Sequence, residues 1–220
     1  MQTTRLESDS IGTMEVPADA YYGVQALRAK RNFPITGTKL HPTFLRNLAQ
    51  VKKAAAITNY NAGLLKKDIS DAILQACDEV LDGKWADQFI VDAIQGGAGT
   101  SANMNMNEVL ANRAGELLGD TKGSYRLVHP NDHVNMAQST NDVIPTAGKL
   151  TVLDLLEPLI CELQRLEDAL SAKASEFDDV ITMGRTQLQD AVPIRLGQEF
   201  AAYASVMRRE KRRLEQARNE

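Results

Sequence analysis

No stretch of this 220-residue chain approaches the roughly 20 consecutive apolar residues that span a bilayer. The opening MQTTRLESDSIG also lacks the apolar core of a signal peptide. A soluble, cytoplasmic protein with no membrane partner is the expectation. Cysteine is scarce. Cys77 and Cys161 stand far apart on apolar helix-like faces, and they are expected as buried thiols rather than as a disulfide or metal pair. Of the few histidines, His129 and His133 share one loop without further ligands nearby. Loop hydrogen bonding is the better reading of both, and neither a metal nor another cofactor is expected. Excess positive charge is absent as well: the formal net charge is -4. That argues against a nucleic-acid partner and requires local donors for any anionic ligand. Aromatics make up 5% while Ala and Leu are frequent, and strand signals are few, so the chain reads as mainly α. Hydrophobic residues at 43% and charged residues at 25% are ordinary for a globular chain of a size that buries a real core.

What is present is organised around Ser139-Thr140-Asn141-Asp142, which closes the polar segment HPNDHVNMAQSTND, 129–142. Beyond it Leu150, Leu153, Leu156, Ile160, Leu163, Leu166 and Leu170 recur at three- or four-residue steps, the period of a long amphipathic helix expected to run to about Glu176. The polar run is therefore a helix N-terminus. Its hydroxyl and amide side chains can cap the first free N–H groups. The same groups, with the positive end of the helix dipole, can hold an anion. Capping needs one or two such residues, and four in a row leave a ligand site open beside it. Pro145 lies near the start of this helix, and Pro158 is expected to bend it.

Upstream, residues 1–40 read as an irregular extended arm punctuated by Pro17, Gly23, Pro34 and Gly37, with a helical-looking basic piece at its end. A helix is expected from Pro42 to about Gly63 on the face of Phe44, Leu48, Val51 and Ala55. A second fits Ile69–Leu81, capped by Asp68 with Asp71 in its first turn and stopped at Gly83. Gly96-Gly97-Ala98-Gly99-Thr100-Ser101 then leads into a third helix ending at Gly119. The glycines resemble a phosphate loop only superficially, because the lysine that should follow them is absent. What remains is a second helix N-terminus furnished with Thr100 and Ser101. Residues 177–192 read as a connection, and a last helix is expected from Pro193 to the final residue. Its basic tail RREKRRLEQAR has acidic residues interleaved, which suits a solvated face or an oligomer contact.

Three blocks in this order and spacing, GGAGTSANMNMNEVLANRA, HPNDHVNMAQSTND and GRTQLQDAVPIRLGQEF, resemble the aspartase/fumarase superfamily, and the arm VPADAYYGVQALRAKRNF is similar to its N-terminal region. Within the superfamily, GGAGTS and TQLQDAVP look like aspartate ammonia-lyases. Class II fumarases usually read GSGT in the first block and carry His after the Thr of the third. The resemblance implies the family's mainly α fold, with an N-terminal lyase domain over 1–140 and the start of a central helical bundle over 141–220. It implies reversible anti elimination from a C4 dicarboxylate, L-aspartate to fumarate and ammonia, in a homotetramer. Residue by residue it assigns Thr100, Ser139 and Thr140 to the carboxylate that takes up negative charge, and Asn141 with Thr100 to the amino group. Ser101 joins these substrate-binding residues, Thr186 takes the other carboxylate, and Gln187 stands where fumarases and some aspartases have His. His129, Asn131 and Asp132 match a segment that forms an accessory anion site in fumarases.

The family's catalytic base is a Ser in a loop resembling GSSxMPxKxNP, a motif these 220 residues do not contain. The resemblance therefore implies a truncated ammonia-lyase, inactive alone. Two other readings stay open: a class II fumarase, and a helical oligomerisation module that keeps the fold without the chemistry.

Overall fold

The structure is a computed structural model describing residues 3–219, and it is mainly helical. The elements run β1 (Thr4–Ser8), β2 (Thr13–Pro17), α1 (Val24–Asn32), α2 (Pro42–Asn61), α3 (Lys67–Leu81), α4 (Thr100–Leu117), α5 (Thr140–Glu176), β3 (Ile181–Thr186), β4 (Gln189–Arg195) and α6 (Leu196–Arg218). A 3-10 turn at Ala86–Gln88 and a π-helical turn at Pro130–Val134 complete the described residues. The chain forms two compact units, 1–151 and 152–220.

In the first unit α2, α3, α4 and the first turns of α5 share one core, in which Leu48, Ile73, Met106, Leu110, Val143 and Ala147 are buried. The α2 helix starts as its sequence requires, with Pro42 in the first turn where its missing N–H costs nothing. The α3 helix differs from expectation at its start. It begins at Lys67, with Lys66 in the cap position and no capping side chain. Asp68 therefore sits inside the first turn, where a carboxylate still favours the helix dipole, and Asp71 pairs with Lys67 at 2.6 Å. Buried on nearly every side, α4 runs through the middle of the unit.

The N-terminal arm is not irregular. Strands β1 and β2 pair antiparallel, Thr4 opposite Pro17 through Ser8 opposite Thr13, and α1 follows. This start is pinned by two buried carboxylates rather than by local sequence. Glu108 of α4 accepts from the N–H groups of Gly23 (2.9 Å), Gln25 (2.9 Å) and Ala26 (3.0 Å), and Glu7 accepts from Val24 N–H at 2.9 Å. Anions at a helix N-terminus satisfy its free donors and its dipole together. Gly23 is needed there, because a Cβ would collide with Tyr125, Glu7 and Glu108.

In the second unit the expected connection is a β-hairpin. Strands β3 and β4 pair antiparallel with an irregularity at Gly184/Arg185, and Pro193 lies in β4 rather than at a helix start. The α6 helix begins at Leu196 and ends at Arg218; Glu220 lies outside the described residues. Glu167 of α5, buried, accepts from Arg208 at 2.7 Å and Lys211 at 3.2 Å, and Arg218 reaches Glu157 at 3.0 Å. The falling partner numbers make α5 and α6 antiparallel. The basic tail of α6 thus spends part of its charge on acids of this unit. Cys77 is buried as expected, but Cys161 is exposed. It lies one residue, about 100° of helix rotation, off the Leu156 and Ile160 face.

Candidate active site

The α4 helix starts without a side-chain cap: Gly99 precedes it in the left-handed conformation (φ 89°), and Thr100 and Ser101 are its first residues. A Cβ on Gly99 would come within 2.9 Å of Ile144 in the first turns of α5. Glycine here serves two ends, the positive φ and the close approach of one helix start to the other. At that other start the Ser139 hydroxyl accepts from Asn141 N–H at 3.2 Å, so Ser139 does cap α5. Thr140 is half-buried, and its hydroxyl oxygen accepts from the Asn103 side-chain amide of α4 at 3.2 Å. Thr100, Ser139 and Asn141 are exposed and Ser101 is half-buried. The two N-termini expected to carry ligand donors are thereby joined, through Gly99 and Ile144 and through Asn103 and Thr140.

Behind this junction lies a polar network. Lys52, with no exposed surface, donates to Asn135 Oδ1 at 2.8 Å and Gln138 Oε1 at 3.0 Å. Asn103 donates to the same Asn135 oxygen at 3.1 Å. Burial pushes the Lys52 ammonium down to about 7, with only the Cys77 thiol acting the other way. Asn103 Oδ1 and Asn107 Oδ1 are buried without a hydrogen-bond partner among the described residues.

The loop histidines hydrogen-bond locally, as the sequence suggests. His129 Nδ1 accepts from the N–H groups of Asn131 (3.3 Å) and Asp132 (3.2 Å), and His133 Nδ1 accepts from His129 N–H at 2.9 Å. His129 and Asn131 line a cavity of about 540 Å³ together with Ser101, Arg28 and Asp9. Asp132 instead lines a different cavity of about 500 Å³ with His133, Lys66 and Arg126. The accessory trio therefore divides between two openings. No group of three or more metal-ligating side chains occurs among the described residues.

Thr186 and Gln187 belong to the second unit. Thr186 ends β3, and Gln187 and Leu188 form the two-residue turn to β4, both exposed and both at positive φ (50° and 63°). Such a turn suits the strand twist but normally takes Asn-Gly.

Reading the sequence missed Lys52, Asn103, Asn135 and Gln138. One signal was there for Lys52, which continues the Leu48 line one helical turn on, an apolar face where a lysine needs a reason. For Asn103 the signal was an asparagine among residues that all turn out buried, NMNMN, where each amide must find partners.

The family model described as lyase matches residues 12–220. An aspartate ammonia-lyase from Bacillus sp is 57% identical over 98% of this chain and 46% of its own length. A crystal structure of a fumarate lyase:delta crystallin from Brucella melitensis matches with a TM-score of 0.93 and 52% identity, over 99% of this chain and 51% of that one. A recombinant class II fumarase from Schistosoma mansoni matches with a TM-score of 0.86 and 39% identity, over 95% and 44%. The chain spans about half the length of the curated relatives it matches. No described helix is long and apolar enough to cross a membrane. With its two apposed helix N-termini, its three motif blocks and a family match over nearly its whole length, the chain belongs to the lyase family of the aspartase/fumarase superfamily.

Proposed function

We propose that the chain is the first half of an aspartate ammonia-lyase, a cytoplasmic homotetramer when complete, that converts L-aspartate reversibly to fumarate and ammonia. The observation that carries this reading is the junction of two helix N-termini, α4 and α5, with Thr100, Ser101, Ser139, Thr140 and Asn141 around it. A base removes a proton from the carbon beside one carboxylate, and the electron pair left behind spreads onto that carboxylate, giving a doubly negative aci-carboxylate. The pair then returns to form the carbon–carbon double bond as the C–N bond breaks and ammonia leaves. Donors aimed at the oxygens where charge develops lower the barrier. In this reading Thr100, Ser139 and Thr140 hold that carboxylate, Asn141 and Thr100 touch the amino group, and Thr186 binds the other carboxylate, with Gln187 beside it. Residues 1–140 act as the N-terminal domain and 141–220 open the helical bundle. His129, Asn131 and Asp132 form an accessory anion site. Aspartate rather than malate is favoured by the 57% identity to an ammonia-lyase against 39% to the class II fumarase.

The test follows fumarate by its ultraviolet absorbance as L-aspartate is added to the chain alone, and then to the chain mixed with the C-terminal half of the Bacillus relative. Fumarate from the mixture only is expected. A folded, assembled mixture that makes none, or that consumes fumarate with water but not with ammonia, overturns the assignment. In the active mixture Ser139→Ala and Thr140→Ala are each expected to lose about a hundredfold to a thousandfold in rate. Near-normal turnover by both contradicts the roles given to these hydroxyls.

A further inference from the structure

We infer that Asn103 is a positioning residue for Thr140, turning the Thr140 hydroxyl proton away from the protein interior and toward the carboxylate that gains charge. The inference rests on the role proposed above for Thr140 and adds a residue that never touches the substrate.

A hydroxyl can donate or accept, and which it does toward a ligand depends on what its other neighbours require. The requirement here is set from inside the fold. Lys52 has at least two N–H groups in either protonation state, and they meet Asn135 Oδ1 at 2.8 Å and Gln138 Oε1 at 3.0 Å. Both amides are therefore held with oxygen toward the lysine. Asn135 keeps this sense on its other side, where its Nδ2 donates to the Gln138 carbonyl at 3.2 Å. Gln138 Nε2 likewise donates to the Val134 carbonyl at 2.8 Å. Asn135 Oδ1 faces Asn103 as an acceptor, so Asn103 must present its Nδ2, as it does at 3.1 Å. The same Nδ2 group meets Thr140 Oγ1 at 3.2 Å. Thr140 Oγ1 is then obliged to accept, and its own proton is left to point elsewhere.

The unpartnered Asn103 Oδ1 fits this account. Rotating the amide by half a turn would set Asn103 oxygen against Asn135 Oδ1, which can only accept. The contact with Asn135 therefore opposes the flip, even though the Thr140 hydroxyl could donate to that oxygen. An amide oriented by its neighbours keeps its direction even with one oxygen unsatisfied, although an orphaned buried acceptor is costly. Asn103 is 2% exposed, so solvent does not supply a competing arrangement. For catalysis the consequence is a donor fixed in advance, which needs no reorganisation as the oxygens charge.

Two measurements test it. Neutron diffraction from crystals of the perdeuterated chain locates the deuteron on Thr140 Oγ1 without any need for turnover. A deuteron directed away from Asn103 Nδ2 is expected, and one directed at the Asn103 side chain overturns the inference. Kinetics are then read in the mixture that makes fumarate. Asn103→Asp keeps the shape but offers Thr140 an acceptor, so it captures the proton. kcat is expected to fall about a hundredfold, as for a lost oxyanion donor, with KM changed less than about threefold. Asn103→Leu, which neither donates nor accepts, loses less than Asn103→Asp. Combining Asn103→Asp with Thr140→Val is expected to be no worse than Thr140→Val alone, since the asparagine acts only through that hydroxyl. Losses that multiply, or an Asn103→Leu loss as large as that of Asn103→Asp, overturn it in favour of a packing role. A wild-type mixture that makes no fumarate sinks the proposed function, while the neutron result still decides the direction of the hydroxyl.

Discussion

Lys52 and Glu108 are buried ionisable residues with opposite consequences for stability. Burial holds Lys52 down to about 7, whereas an unfolded lysine titrates near 10.4. Above pH 7 the unfolded chain binds a proton that the folded chain has released, so folding stability rises with pH, at up to about 1.4 kcal/mol per pH unit. Burial raises Glu108 to about 7 against its three N–H donors, which act the other way. From about 4.3, the unfolded glutamate value, to 7 the folded chain keeps a proton that the unfolded chain loses, and stability falls as pH rises. Together these two groups contribute least near pH 7. The Cys77 thiol, pushed up to about 12 by burial, adds a falling contribution once the unfolded thiol ionises at about 8.5. The window from 7 to 8.5 is therefore governed by Lys52. Urea unfolding across it is expected to show a rising free energy that Lys52→Met flattens; an unchanged slope in the variant refutes the titration. Ser139 and Thr140 were legible in the sequence because hydroxyls before a helical period have one obvious place to go. Lys52 and Asn103 were not, since a lysine on a helix normally lies in solvent and an asparagine normally favours a cap or a turn.

Helices α2, α4 and α5 could be read from apolar spacing and from Pro42, Gly99 and Ser139, where local chemistry and tertiary placement agree. The two hairpins could not. Strands β1 and β2 expose most of one face, and the turn between β3 and β4 is Gln187-Leu188, without the Asn-Gly signal of such a turn. Holding two non-glycine residues at φ 50° and 63° stores strain, of order 1 kcal/mol or more for each. Leu188→Gly is therefore expected to stabilise the folded chain by about 1 kcal/mol in urea unfolding. A destabilised variant means that the leucine side chain has a role beyond the turn. The α1 helix was legible as a helical-looking basic piece, but its start was hidden for a different reason. Its start is set by Glu7 and Glu108, which come from 17 and 82–85 residues away along the chain. Gly23→Ala places a methyl group among Tyr125, Glu7 and Glu108, and a loss of about 1–3 kcal/mol is expected, in the range of core overpacking. Retention of wild-type stability indicates that the carboxylates can withdraw without loosening α1.

Seen as a whole, the chain displays more apolar surface on α5 than an isolated helix pair has use for. Val152, Leu153, Leu155, Leu159 and Leu166 are 62%, 42%, 43%, 47% and 46% exposed. Fully burying a large aliphatic side chain contributes about 1.5–3 kcal/mol, so partners that cover several of these at once gain enough to offset the entropy of association. The solved fumarate lyase:delta crystallin from Brucella melitensis aligns with this helix within a chain about twice as long. Another copy of the 220-residue chain offers the same stripe, and helix pairing between copies is the simplest closed arrangement. Sedimentation of the chain over a range of concentrations is expected to show reversible self-association. Leu155→Lys with Leu159→Lys should shift it toward the monomer while leaving the first unit's core, which contains neither residue, at wild-type stability. A chain that stays monomeric at high concentration, or a double variant that associates as the wild type does, means that contacts elsewhere dominate and that this face of α5 tolerates water.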